Sequence, residues 1–386
     1  MQKKRILLWA PLGSGEHYWG PGISAYRLYG LGLPNSIEVD LAHGFSNQKD
    51  PKSIFSNIYY ISNLNRFGIL GKIIFFIKSW FFIANNYKRY DAVHCLGAFE
   101  YSFRPALWFQ QRGINAFCKI TDEKGGLQGH SKLSDFLGIS KARKKRLNDI
   151  SGYIAISTEI VKILQQSGVV DSKIFKIPNG VNVKEFYPVS EINQKKKLRE
   201  KYGIDSTKIV GLFVGGISKR KQPFELVKIL KRLVDNGANN FILILVGPDR
   251  SGIDKELDLI KEYIQLNGLE KYCLHFDHTN QPLDFYQLSD FFLLPSLSEG
   301  MSNAALEALS CGLPALVTPV SGMKDLVENG YNGFVSPIDN FESYILKWIS
   351  NPLELLSYSK NARTKIEKEF DSKIILDNHI NLFINK

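Results

Sequence analysis

The chain has 386 residues, 44% of them hydrophobic, more than one core usually gathers and enough to fill two. Its four cysteines, Cys95, Cys118, Cys273 and Cys311, stand apart without CxxC pairing, which argues against a disulfide framework or a zinc site and fits a reducing cytoplasm. The net charge of +11 is lopsided: 24 Lys/Arg face 12 Asp/Glu up to Val183, against 25 and 26 in the remainder, so an anionic partner is expected on the first half.

In chain order, the basic start Met1–Arg5 leads into a short apolar run that meets Pro11 and Gly13, which reads as a first buried strand and not as a signal peptide. The glycine-rich stretch 13–23 follows. Gly13, Gly15 and Tyr18 do not complete GxGxxG, which argues against a dinucleotide cofactor. The apolar segment Ile69–Ala84 is interrupted by Lys72 and Lys78 and is shorter than the ~20 residues that span a bilayer, so no transmembrane span is expected. It is either a helix lying in a membrane interface or a buried helix ahead of the next strand.

Short apolar runs at Arg5–Ala10, Ala92–Leu96, Ala116–Ile120 and Tyr153–Ser157 alternate with helical segments, a pattern that predicts a parallel sheet covered on both faces. After a polar stretch at 191–200 the pattern repeats at Ile209–Val214, Phe241–Val246, Leu274–Phe276, Phe291–Leu294, Ala315–Thr318 and Gly333–Val335. Two doubly wound α/β domains follow, residues 1–188 and 189–360. A helical segment, 361–386, is expected to pack across them. Glycine and proline at strand ends, as in Gly215-Gly216 and Gly247-Pro248, mark a ligand-binding edge.

The most informative stretch runs from Phe291 to Pro314. A buried strand ends at Pro295, a loop carries Glu299-Gly300, and Ser302 or Asn303 can cap a helix whose free amides suit an anion or sugar hydroxyls. Asn303 and Glu307 lie four residues apart on one helix face, with Glu307 roughly 7 Å in, a separation suited to a diphosphate-sugar at the helix mouth and a ribose at the carboxylate. After the strand Ile209–Val214, a glycine turn precedes Lys219, Arg220 and Lys221, of which Lys221 is placed to neutralise a diphosphate.

Glu299 and Glu307, followed by Ala308, Leu309 and Gly312–Pro314, resemble the E-x7-E motif of retaining family 4 glycosyltransferases of the GT-B fold. Lys221 resembles the lysine of that family's Gly-Arg-Leu-x-x-x-Lys-Gly loop, although Gly216 stands where an arginine is usual. Residues 90–97 (YDAVHCLG) resemble its Asp-x-x-His strand end, and 178–182 (PNGVN) its Pro-Asn-Gly-Val-Asp turn. The resemblance implies two Rossmann-like domains facing across a cleft, with Glu299 at the donor sugar and Gly216, Gly300, Met301, Ser302 and Asn303 beside it. It further implies Glu307 on the ribose, His94 in the cleft, and Gly22, just before a helix, approaching the donor phosphate.

The implied reaction is transfer of a sugar from a nucleoside diphosphate sugar to a hydroxyl acceptor, with retention at the anomeric carbon, in polysaccharide or glycolipid synthesis. Catalytic roles fall to His94, Lys221 and Glu299. With no Asp-x-Asp sequence, neither a metal nor another cofactor is expected. A nucleotide-sugar epimerase of the same fold and a non-catalytic sugar-nucleotide or anionic-lipid binding protein are the alternatives. Nucleic acid is not an expected partner. The basic cluster 141–146 and the segment Ile69–Ala84 point to the cytoplasm, peripherally at an anionic membrane, with a lipid-linked acceptor.

Overall fold

The structure, a computed structural model, describes residues 3–14, 20–44, 53–64, 68–122, 144–277, 279 and 281–385. The chain forms two units, residues 1–180 with 372–386, and residues 181–371.

The first unit holds a seven-stranded sheet in the order β3-β2-β1-β4-β5-β6-β7. Its strands are β1 (Lys4–Ala10), β2 (Ile37–His43), β3 (Ile58–Tyr60), β4 (Ala92–Leu96), β5 (Asn115–Ile120), β6 (Gly152–Ala155) and β7 (Ile174–Lys176), and all neighbours are parallel. The central strands are buried on both faces, as in a sheet covered on two sides. The covering helices are α1 (Gly20–Tyr29), α2 (Gly68–Asn86), α3 (Glu100–Gln110), α4 (Thr158–Gln166) and the last helix of the chain, Ser372–Asn385. Ser157 caps α4, its hydroxyl accepting from the Ile160 amide at 3.2 Å.

The second unit has a six-stranded parallel sheet in the order β10-β9-β8-β11-β12-β13. These are β8 (Ile209–Val214), β9 (Phe241–Val246), β10 (Cys273–Phe276), β11 (Phe291–Leu294), β12 (Ala315–Val317) and β13 (Gly333–Val335). Its helices are α5 (Ile192–Lys201), α6 (Pro223–Asp235), α7 (Glu256–Leu266), α8 (Pro282–Leu288), α9 (Asn303–Ser310), α10 (Met323–Leu326), α11 (Phe341–Ser350) and α12 (Pro352–Lys365), and Ser372–Asn385 becomes α13. The polar stretch at 191–200 is helix α5. Lys195 and Arg199 reach Asp290 at 2.6 and 2.7 Å, and the same carboxylate accepts from the Val210 amide, which ties α5 to the sheet.

Two boundaries differ from the sequence expectation. The divide falls between Gly180 and Val181 rather than after 188, because Val181 pairs with Phe370 and Asp371 of the second unit. The segment 361–386 is not one element: α12 ends at Lys365, a turn of π-helix occupies Ile366–Phe370, and only α13 belongs to the first unit. There His379, Ile380 and Phe383 of α13 join the core formed by α1 and β4.

Candidate functional site

In each sheet the strand order reverses once, between β1 and β4 and between β8 and β11. In open parallel sheets ligands bind at the carboxyl ends of the strands flanking such a reversal, because the loops there part in opposite directions and leave a crevice. In the second unit those loops are Gly215–Gln222, after β8, and Pro295–Ser302, after β11.

The two loops are tied together. The Leu297 amide donates to the Arg220 carbonyl at 2.8 Å. Lys221 Nζ lies 2.5 Å from Glu299 Oε1, and Arg220 contacts the same oxygen at 3.1 Å while donating to the Ser298 carbonyl. Lys221 and Glu299 are largely buried, whereas Arg220 is exposed. Two cations thus share one carboxylate, leaving a net positive charge at the end of β8. Thr318, after β12, donates to the Ser296 carbonyl at 2.5 Å and holds the second loop from the other side.

The loop then enters α9. Ser302 caps it, its hydroxyl accepting from the Ala305 amide at 3.4 Å. Met301 and Ser302 are buried, so this turn contributes backbone rather than side chains. Glu307 is also buried, and its Oε2 accepts from the Tyr286 hydroxyl at 2.7 Å. That bond fixes the carboxylate from within the unit. Tyr286 belongs to α8 and carries no sequence signal, since it reads as one apolar residue of a short helix. Lys221 and Glu299 meet, and Gly300, Asn303 and Glu307 follow Glu299 in the same loop and helix of the second unit.

Gly216 stands in the β8 turn beside a loop from β9. The Ile217 amide donates to Pro248 and the Arg250 amide to Ile217, both at 2.9 Å. Gly247, at φ +145°, lies so close that a Cβ there would meet the Gly215 carbonyl oxygen at 2.1 Å. Only glycine allows this backbone approach.

In the first unit the placements expected for His94, at a strand end, and Gly22, ahead of a helix, are corrected. His94 is the middle residue of β4, fully buried and not at a strand end. Its neighbours in register are Leu8 and Phe117, and its Nδ1 shares a hydrogen bond of 2.8 Å with the Tyr29 hydroxyl. Phe383 and His379 cover the ring. Burial, then His379 and Lys119, holds its pKa well below the ordinary histidine range. A central strand under two helices leaves no open face at that position. Gly22 lies inside the first turn of α1, buried, with its carbonyl accepting from Ser14 Oγ at 2.8 Å. Gly15 and Tyr18 of that loop, and Lys141 and Arg143 of the basic cluster, lie outside the described residues.

Residues 194–365 match the family of glycosyl transferases group 1. The second unit belongs to that family. Among curated relatives, this chain is similar to the UDP-Gal:alpha-D-GlcNAc-diphosphoundecaprenol alpha-1,3-galactosyltransferase of Escherichia coli, with 34% identity over 55% of this chain and 56% of that protein. It is also similar to the alpha-monoglucosyldiacylglycerol synthase of Acholeplasma laidlawii, with 31% identity over 50% and 48%. The match thus spans about half the length of these relatives. Among solved structures, HepE of Anabaena in complex with UDP aligns with a TM-score of 0.79 and 16% identity, covering 99% of this chain and 100% of that one. This likeness establishes the GT-B fold. Glu299, Glu307 and Lys221 all fall inside the stretch that matches the glycosyl transferase family.

Proposed function

We propose that the chain is a retaining, metal-independent glycosyltransferase of family 4, moving a sugar from a nucleoside diphosphate sugar to a hydroxyl of a lipid-linked or glycolipid acceptor in the cytoplasm. The observation that carries this is the meeting of Lys221, Arg220 and Glu299 at the strand-order reversal of the group 1 domain, one turn from the capped N-terminus of α9. A diphosphate arriving there meets a largely buried ammonium and the N-terminal end of α9, which stabilise the charge that grows on the leaving group. Glu307, locked by Tyr286, is positioned to accept from a ribose diol. The family match and the activities named for the relatives support the reaction class and a lipid-borne acceptor.

The acceptor side is supported by α2. Ile69, Leu70, Ile73, Ile77, Trp80 and Phe81 are 45–73% exposed. At 3.6 residues per turn they fill one arc of roughly 120°, with Lys72 and Lys78 about 60° beyond its two edges. A buried i,i+4 stripe, Gly71, Phe75, Ser79 and Ile83, is packed into the first unit. Gly68–Arg89 is long and apolar enough to cross a membrane by length and composition alone. With one face engaged in the protein core, the geometry favours a helix lying on the bilayer, its lysines at headgroup level.

Incubation with UDP-, GDP- and ADP-sugars, with and without lipid-linked saccharide acceptors and with a chelator, tests the reading. The expected result is acceptor-dependent transfer that survives chelation and gives a product with the donor's anomeric configuration. Inversion, a metal requirement, or conversion of the donor without an acceptor overturns the corresponding part.

A further inference from the structure

Four basic side chains gather where β8 and β9 end. Lys219 pairs with Asp254, and both Arg220 and Lys221 pair with Glu299. Arg250, in the loop after β9, makes no ion pair or side-chain hydrogen bond with any described residue and is exposed. A cation held without an acid beside a site that is already net positive is unfavourable in the empty protein, and that repulsion is relieved when an anion arrives.

Its position is fixed. The paired backbone bonds between Ile217 and the 248–250 loop hold Arg250 against the glycine turn. Its stem lies across Gly216: a Cβ built on that glycine would stand 2.6 Å from Arg250 Cγ and 3.2 Å from its Cβ. On the other side of the turn, a Cβ on Gly215 would stand 3.6 Å from Lys221 Cε. The two glycines are therefore flanked by the stems of Arg250 and Lys221, and the absence of a side chain at 216 is what gives the arginine its place.

We infer that Arg250 binds the diphosphate of the donor, supplying from the β9 loop a guanidinium that the β8 turn, with glycine at 216, does not carry. This rests on the donor reading above and adds a residue to it. A guanidinium presents paired donors to phosphate oxygens, so it complements the single ammonium of Lys221.

The test is calorimetric titration of the full chain with uridine, guanosine and adenosine diphosphates and with the parent nucleosides. For the diphosphate that binds the wild type, Arg250→Ala is expected to weaken affinity about tenfold and to reduce its salt dependence, leaving the nucleoside unaffected. Arg250→Lys retains part of the loss-prone affinity. The decisive variant relocates the charge: Gly216→Arg alone forces two stems into one space and weakens binding, whereas Gly216→Arg combined with Arg250→Ala recovers it. If no nucleoside diphosphate binds the wild type, the donor reading falls and this inference with it. If the wild type binds and Arg250→Ala binds equally well, or loses diphosphate and nucleoside alike, the assignment of Arg250 alone is overturned.

Discussion

Glu307 and Lys221 differ in how they are held, and the difference separates their expected phenotypes. Lys221 lies against Glu299, so truncating it removes the charge that the proposed function assigns to the leaving group, without opening a core. Lys221→Ala should lower kcat by ~10²-fold with little change in KM, as expected of a contact that strengthens as charge develops. Steady-state kinetics with the active donor checks it, and a change confined to KM contradicts the role. Glu307 is buried against Tyr286, so alanine there would remove a hydrogen-bond acceptor from a buried hydroxyl. Glu307→Gln keeps an acceptor for Tyr286 and removes the charge. It should weaken nucleotide binding by roughly 1–2 kcal/mol with the melting temperature nearly unchanged. Unchanged affinity in calorimetry would remove Glu307 from the nucleotide.

The layout of strand, loop and helix around Glu299 and Glu307 was legible in the sequence, for a physical reason. Residues 299–307 combine a strand end, a loop and a helix cap in one local stretch, and local order is what spacing records. Strands β8, β9 and β11 are unbroken apolar runs and coincide with the expected bounds. By contrast β3 and β7 are three-residue edge strands, only partly buried, and β2 carries Glu38 and Asp40, so none presents a clear apolar run. Tyr286, Arg250 and the cover over His94 were illegible because each depends on a contact between distant segments. The histidine reads as a strand-end ligand until α13 is seen to close over it.

At the scale of the element, α2 combines two demands on one helix. Its Phe75 and Ile83 face secures the fold, while the stripe from Ile69 to Phe81 does nothing for the described protein core. Paired changes Ile73→Glu and Ile77→Glu should therefore leave the melting temperature within a degree or two and abolish binding to anionic liposomes, since surface changes of this kind usually alter stability by less than about 0.5 kcal/mol. Cosedimentation at low and high salt measures it. Binding that survives the pair, or that ignores lipid charge, would assign the stripe to something other than a membrane.

Across the whole molecule, acid should act first on the unit that buries His94 and His379. Burial, then Lys119, depresses His379 to about 3, and His94 is also held well below the usual range, mainly by burial. Unfolded, both take up protons near 6.5, so between these values the unfolded chain binds more protons. Stability from this pair is fully present above about pH 6.5 and is lost as pH falls toward 3, by up to about 1.4 kcal/mol per unit for each histidine. Thermal melts from pH 7.5 to 5 should show that slope, and His379→Leu should flatten it. Equal slopes in the two proteins would mean other groups set the acid limit.

The return of the chain after residue 371 has a further consequence for how the protein is made. The first unit needs α13 to cover α1 and β4, yet the 191 residues of the second unit are synthesised in between. A ribosome therefore releases the strands β1 to β7 long before their last cover exists, and the first unit to be translated is the second able to finish folding. During that interval the face around Phe117 and Ile154 waits open, while the glycosyl transferase domain, contiguous in the chain, has all it needs to close.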